Sequence, residues 1–390
     1  MTTKIAHLAD THLGYRQYGL LEREEDFYDA FNKIIDDIIE KDVDYVIHAG
    51  DLFETPKPPI KALLVAQEGF EKLRAHNIQV YVIAGNHDIM QRRKTSLPQE
   101  LYKNENFHIL TSKANNYILD NNIFLGGLPY ISKNNENAVK ELLKEITEKS
   151  RNYPWKILML HGSVRKYFDF EPEFELDTIP EGYDYYAMGH LHKRIDDKFK
   201  EGTLVYPGST EIRTKDELDN YHKKGKGYTL ITIDDTMKHE FINMELERKF
   251  IVRNIQYPKL DEELESIQKE ITTILEKTTK KPVVDLKIYH GNFDRSDVVD
   301  KIYAALEDIT LTIRISYESL ENSVKLNENI EDNLLTPENA IKDRLTEEFN
   351  NETISTLGLE LYKNLSTQNI EKAQDIAEEY YEKNYHENNN

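Results

Sequence analysis

The chain has 390 residues, of which 31% are charged and none is cysteine, and its formal net charge is −21. That length allows two or three domains with a sizeable core, while the lack of cysteine excludes disulfides and thiolate metal sites, so any metal must be held by nitrogen and oxygen. No apolar stretch approaches the roughly 18 residues that a membrane span needs, and a strand-like run begins within a few residues of the N-terminus. A soluble, intracellular (cytoplasmic or nucleoid) protein is therefore expected.

The charge is unevenly spread. From Glu318 onward 17 acidic residues stand against 6 basic ones, so more than half of the excess lies in the last fifth of the chain. Overall acidity argues against a protein that coats DNA, but it permits a local cationic path to a metal site.

In chain order, apolar runs recur at Ile5–Ala9, Tyr45–Ala49, Val80–Ala84, Ile157–Leu160 and Tyr185–Met188. Their length and their Val, Ile and Tyr content predict buried strands. Between them, Phe27–Ile39, Ile60–Leu73 (after Pro58-Pro59) and Ala138–Ile146 carry apolar residues at helical spacing. Strand–helix alternation of this kind predicts a layered α/β domain over residues 1–245. Asn121–Leu128, Thr203–Tyr206 and Gly227–Ile233 add strands on the far side of the sheet. Residues 250–315 read as a small α/β cap: strand Phe250–Ile255, helix Leu260–Leu275, strand Val283–Tyr289, helix Val298–Leu306, strand Leu311–Ile315. A polar, acidic linker over 316–335 follows. Thr336-Pro337 then looks like a helix start, and apolar residues recur through 336–385 as in short amphipathic helices with no sheet to cover, which suits a partner-binding segment.

Each of the five apolar runs ends in a polar motif: Asp10-x-His12, Gly50-Asp51, Gly85-Asn86-His87-Asp88, His161-Gly162 and Gly189-His190-Leu191-His192. Two aspartates, an asparagine and several histidines are the inventory needed to hold two divalent cations beside a phosphate ester. Strand ends place such residues along one rim of a sheet, where open α/β folds put their sites. Asp10 and His12, two apart, should point to the same side. A carboxylate at Asp51 could bridge two cations, Asn86 offers a neutral oxygen, and His87 is left for proton transfer. Any one motif is common by chance, and His161 alone would more often be a core residue. All five in this order, each at a strand exit, form a strong signal.

With Ala9-Asp10-Thr11-His12-Leu13-Gly14-Tyr15, His48-Ala49-Gly50-Asp51-Leu52-Phe53 and Tyr206-Pro207-Gly208-Ser209-Thr210-Glu211, the chain resembles the calcineurin-like metallophosphoesterase superfamily. Within it the likeness is to the Mre-eleven/SbcD group of DNA double-strand-break repair nucleases. The resemblance implies a layered metallophosphoesterase β-sandwich flanked by helices, and a hydrolase that trims double-stranded ends 3′ to 5′ and cuts single strands. It implies two Mn2+ per chain, Asp10, His12 and His192 holding one, Asn86, His161 and His190 the other, and Asp51 bridging. His87 becomes the catalytic acid, with Asp88 either orienting its ring or capping the turn. The resemblance also implies DNA as substrate, a homodimer formed through Ile60–Leu73 and the stretch around Ser96–Tyr102, and a Rad-fifty/SbcC-type ABC ATPase gripped by the C-terminal helices. Relatives can carry histidine where this chain has Glu54.

Cations beside the motifs make the DNA path: Tyr15 and Arg16 for stacking and phosphate neutralisation, Arg92, Arg93 and Lys94 for the backbone, then Arg165-Lys166, Lys193-Arg194 and Arg213. His48 is expected behind the site rather than in it. Protein phosphatases of the superfamily carry arginine soon after Gly-Asp, and purple acid phosphatases a tyrosine three residues after the aspartate; Leu52-Phe53-Glu54-Thr55 offers neither. A small-nucleotide phosphodiesterase would leave the cap and tail unexplained. From another class, a DNA-end tether or scaffold would make the metal centre secondary.

Overall fold

The computed structural model describes residues 2–89, 96–132, 135–168, 172–291 and 293–317, and in the C-terminal region 345, 352–366, 376, 377 and 380. It divides into two compact units, Met1–Ser316 and Tyr317–Asn390. In the first unit lie strands β1 (Thr3–Leu8), β2 (Tyr45–Ala49), β3 (Gln79–Ile83), β4 (Phe107–Ile109), β5 (Asn116–Leu119), β6 (Ile123–Gly127), β7 (Trp155–His161) and β8 (Tyr185–Gly189). They are followed by β9 (Ile195–Phe199), β10 (Gly202–Tyr206), β11 (Lys226–Ile233), β12 (Met237–Met244), β13 (Phe250–Gln256), β14 (Val283–Tyr289) and β15 (Thr312–Tyr317). The helices are α1 (Leu21–Glu40), α2 (Ile60–Ala75), α3 (Glu136–Ser150), α4 (Leu218–Lys224), α5 (Leu260–Leu275) and α6 (Arg295–Leu306). No helix among the described residues is long and apolar enough to cross a membrane.

The five motif-bearing strands do not share one sheet, as the strand-rim reading expected. They divide between two six-stranded sheets, ordered β12-β11-β1-β2-β3-β4 and β5-β6-β7-β8-β10-β9. β1 to β4 run parallel, as do β6, β7, β8 and β10, so the motif-bearing ends of each set lie at one edge. Period-two alternation gives each of these strands two buried faces. Ile5, Ile47 and Ile83 join Leu125, Ile157, Met159, Ala187 and Val205 in a core between the sheets. Their neighbours Ala6, Leu8, Val46, Val80 and Val82 pack outward against Phe31, Ile34, Ile35 and Ile38 of α1 and Ala66, Phe70 and Leu73 of α2. On the other outer face Leu158, Leu160, Tyr186 and Met188 meet Val139, Leu143 and Ile146 of α3. Both faces of each sheet are therefore buried, which is why these strands read as continuous apolar runs. The result is a helix–sheet–sheet–helix stack, the layered α/β class expected.

β4, β5, β9 and β12 have no counterpart among the predicted strands; β5 spans only four residues. β9 and β12 are edge strands with mostly polar exposed residues, and β4 spans only three residues. α1 starts six residues earlier than its apolar pattern, because its first turns bury Arg23, Glu24 and Asp26 instead of aliphatic side chains.

A third sheet, β13-β14-β15, carries α5 and α6. Its own core gathers Ile251, Ile255, Leu264, Ile267, Ile271, Leu286, Ile288, Val298 and Ile302. A charged cluster ties this layer to α1. Asp26, whose side chain is 2% exposed, accepts from Arg23 (2.5 Å), Arg248 (2.5 Å) and Lys280 (3.0 Å), while Arg23 also reaches Glu211 (3.2 Å) and lies over the Phe250 ring.

In the second unit the described residues contain α7 (Glu352–Ser366), in which Gly358 lies against Leu345. Apart from Ser316, Tyr317 and the few described positions further on, the predicted linker and the remaining predicted helices lie outside the described residues.

Removing Asp26 leaves the buried Arg248 without its acid partner, although Arg23 keeps Glu211 and Lys280 keeps Asp29 and Glu247. Asp26→Ala should therefore lower stability by about 3–5 kcal/mol, read as a shift of the urea unfolding midpoint of the full chain. A midpoint unchanged from the parent would mean that the cluster carries no such burden.

Candidate metal centre

Past the ends of β1 and β2 the two chains stay hydrogen-bonded: Asp10 N–H donates to Gly50 O (3.0 Å), His12 N–H to Asp51 O (3.1 Å) and Leu13 N–H to Leu52 O (2.9 Å). Asp10, His12 and Asp51 adopt left-handed backbone, with φ of 54°, 44° and 55°. Strand alternation does not bring Asp10 and His12 together, as the spacing suggested; these strained turns do. Such conformations cost on the order of 1–3 kcal/mol each and persist only when surrounding structure over-determines them.

The surroundings do so with backbone donors. Asp88 is buried and accepts from the N–H groups of Gly85 (2.9 Å), Phe53 (3.0 Å) and Leu52 (3.3 Å). It thereby clamps the β3 loop to the β2 loop. Of the two roles foreseen for Asp88, the turn-holding one is the one the structure contains; the His87 ring is oriented instead by Glu54, whose carbonyl accepts from its Nδ1 (2.9 Å). Both Asp10 oxygens accept from His190 N–H (3.0 Å), and Asp51 Oδ1 accepts from His87 N–H (2.8 Å).

All seven predicted ligand residues converge, from both sheets. Single ligand atoms of Asp10, His12 and His192 lie within 4.8 Å of one another, and so do those of Asp51, His161 and His190. Asn86 Oδ1 is 3.0 Å from His161 Nε2 and 3.0 Å from His190 Nδ1. Asp51 Oδ2 sits between the two groups, 3.3 Å from His161 Nε2 and 3.9 Å from His12 Nε2.

The donor set fits cations. His12 Nδ1 lies 2.9 Å from Glu54 Oε2, and His192 Nδ1 lies 3.2 Å from Glu217 Oε1. Glu217 Oε1 accepts from His192 Nδ1, while Glu54 Oε2 and His12 Nδ1 meet as a charge contact without a hydrogen bond. With the His12 proton drawn to the side of that carboxylate, the two Nε2 lone pairs face each other at 3.1 Å. His161 Nδ1 donates to Ala49 O (2.7 Å), which turns its Nε2 lone pair toward the oxygens of Asp51 and Asn86. Acceptors aimed at acceptors repel unless a positive charge lies among them, and carboxylates or carbonyls behind imidazoles are the usual support of metal ligands. The titration behaviour tells the same story. Burial would depress His161, yet the Asp51 carboxylate outweighs it and pushes the imidazole up to about 9. Burial would likewise raise Asp51, but His161 and His12 hold it well below the carboxylate range. Burial lowers His12 and His190 to about 4, leaving both neutral. Without metal, a proton on His161 supplies part of the missing positive charge.

Several residues behind the centre escaped the sequence reading. Glu217 is gripped by the buried Lys226 and by Ser209 Oγ (2.9 Å), and Lys226 also donates to His192 O (2.9 Å). Thr214-x-x-Glu217 is a capping box, a signal legible in sequence; its second role behind His192 is not. Ser209 belongs to Pro207-Gly208-Ser209, and Gly208 (φ 77°) lies where a Cβ would stand 2.8 Å from His192 O. That motif is scaffold for the histidine loop.

Most of the cations expected to line a path for DNA are engaged within the chain. Arg194 is buried and donates to Pro207 O, Lys224 O and Ile242 O, so it is a structural strut and not a DNA contact. Arg165 pairs with Glu175, Lys166 with Asp197 and Arg16 with Glu24. Tyr15 lies beneath the Arg213 guanidinium, 4.9 Å from ring centroid to Cζ. Arg92, Arg93 and Lys94 lie outside the described residues. His48 is buried 3.1 Å from Thr11 Oγ1, behind the site as expected.

Residues 3–194 match the family described as calcineurin-like phosphoesterase. The chain is similar over nearly its whole length to proteins called "DNA double-strand break repair protein Mre11". It is 34% identical to the one from Methanococcus maripaludis, covering 98% of this chain and all of the relative. For the Methanocaldococcus jannaschii protein the figures are 36% identity, 96% of this chain and 97% of the relative; for that of Sulfolobus acidocaldarius they are 34%, 87% and 88%.

Close backbone approach at Gly85 tests the centre. A Cβ there would penetrate the carboxylate and backbone of Asp51. Gly85→Ala should cost about 1–3 kcal/mol and abolish the rise in melting temperature that divalent cations confer on the parent. Retention of the full rise would show that the loop spacing does not govern metal binding.

Proposed function

The chain belongs to the Mre11 family of DNA double-strand break repair proteins, metal-dependent phosphodiesterases, and on that premise we propose how its residues divide the work. Asp10, His12 and His192 hold one divalent cation, Asn86, His161 and His190 hold the second, and Asp51 serves both. The nitrogen-rich set favours manganese over magnesium. Two such ions, when bound, offset charge on a phosphodiester and make water acidic enough to attack it. The observation that carries this reading is the convergence of lone pairs from both sheets.

His87 moves the proton. Its Nδ1–H is committed to Glu54 O, so Nε2 is the atom available to protonate the departing sugar oxygen. The ring stands edge-on to His12, 4.9 Å between centroids, which places it beside the ligand set. The substrate is DNA, cut 3′ to 5′ from double-stranded ends and endonucleolytically in single strands. Tyr15 and Arg16, with Arg92, Arg93 and Lys94 beyond the β3 loop, are assigned to its backbone and bases.

Two surfaces support partners. Ile60 and Leu64 on α2 and Leu101 on the adjoining 3₁₀ turn (Pro98–Tyr102) are large apolar side chains exposed by 76%, 52% and 70%. They favour a homodimer through this face. In the C-terminal unit α7 repeats apolar residues at helical spacing, which supports docking to an SMC-like ABC ATPase of the Rad-fifty/SbcC type.

His87→Ala should lower manganese-dependent degradation of linear duplex DNA by about 10²–10⁴-fold, while DNA binding and metal uptake persist. Cleavage at the parental rate would reject the proton-donor role. Deleting residues after Leu335 should abolish capture of the ATPase and leave hydrolysis of a simple phosphodiester intact; a truncated chain that still retains the ATPase would remove the tail from the interface.

A further inference from the structure

Glu54, three residues past Asp51, touches three groups at once. Its carbonyl accepts from His87 Nδ1. Oε2 of its carboxylate lies 2.9 Å from His12 Nδ1, a charge contact in which neither atom has a hydrogen-bond partner among the described residues. Oε1 accepts from Arg213 Nη2 at 2.8 Å and is 3.7 Å from His87 Nδ1. The guanidinium so held lies over the Tyr15 ring, and its Nε is buried with no hydrogen-bond partner. Glu54 is only 16% exposed at its side chain and His12 not at all, so this contact is shielded from water.

His12, Glu54 and His87 also satisfy the distances of a metal-binding trio, but they are poorly suited to a third cation. Arg213 already occupies one carboxylate oxygen, and a metal on His12 Nδ1 would compete with the ring's use of Nε2. A carboxylate behind one imidazole and beneath one guanidinium does something else. Its negative charge draws the His12 ring proton to Nδ1 on one side, and it seats a cation on the other.

Resting on the two-cation reading above, we propose that Glu54 is a positioning residue that couples the two halves of the site. It holds His12 with Nε2 toward the metal position, and it holds Arg213 against Tyr15. The residue's charge alone does not suffice for this. The carboxylate must reach both partners, and a glutamate spans from the β2 loop to Arg213 where a shorter acid would touch one of them.

Manganese titration calorimetry on full-length protein tests the proposal. The parent should take up two ions. In Glu54→Gln one of the two sites should weaken by about 10–100-fold, the range typical of lost support behind a ligand, and the other should stay within about threefold of the parent. Glu54→Asp keeps the charge but withdraws the carboxylate by one methylene, and should weaken the same site. Nitrogen-15 spectra of metal-free, histidine-labelled protein give a readout independent of loading: His12 should be Nδ1-protonated in the parent and lose that single tautomer in Glu54→Gln, with unchanged metal-free melting temperatures showing that both variants fold. Equal affinities in parent and Glu54→Gln would overturn the proposal, and so would a Glu54→Asp protein identical to the parent, because simple charge would then account for the effect. A parent protein that binds no divalent cation would bring down the two-cation reading instead.

Discussion

Seven side chains aim oxygen and nitrogen lone pairs into one small volume, and in the absence of positive charge they repel one another. Holding them there is the constraint around which the first unit is built. His12 and His192 face each other at 3.1 Å through their Nε2 atoms, and Asp51 sits within 4 Å of two imidazole nitrogens. A single sheet edge could not surround such a volume. The two sheets do so because their inner faces bury a common core that fixes one edge against the other.

The support is graded by distance from the centre. Backbone N–H groups neutralise the carboxylates that shape the loops, Asp88 and Asp10 above all. Next come the acids behind the imidazoles, Glu54 and Glu217, and behind those the cations Arg213 and Lys226. Positive and negative groups thus alternate outward from the site. Glu54 is paired with Arg213 and Glu217 with Lys226, as buried charges must be when water cannot screen them. The left-handed turns at Asp10, His12 and Asp51 are tolerated for the same reason: their hydrogen bonds leave no relaxed alternative.

Net acidity is compatible with a phosphodiesterase acting on DNA, since much of it is either remote in sequence or consumed locally. Asp26, Glu211 and Glu24 neutralise arginines. Several cations that looked free in sequence are spent in the same way, Arg194 on backbone carbonyls and Arg165 and Lys166 on acids. Adjacency to a motif says nothing about which way a long side chain turns. The partner choices come from strands far off in the chain, as with Arg194 and Ile242.

Residue order alone determined the class of the fold and the strands that end in motifs, because burial on both faces leaves continuous apolar runs and because ligand chemistry restricts the residue types at their ends; the seven converging residues came from the family resemblance that those motifs carry. Residue order also placed the boundaries of β2, α5 and β14 to the residue. Tertiary structure alone decided that the motifs divide between two sheets, since runs buried on both faces carry no mark of which sheet they join. It decided that Asp88 clamps a loop, that Glu54 and Glu217 stand behind histidines, and that Pro207-Gly208-Ser209 is scaffold. These roles depend on hydrogen bonds and charge contacts between separate loops, such as Glu217 with His192 across 25 positions of sequence and Asp88 with Leu52 across 36. Strand pairing within a sheet brings the loops of Asp88, Glu54 and His12 together, and the packing of the two sheets brings residues such as Asp10 and His190 within reach of one another.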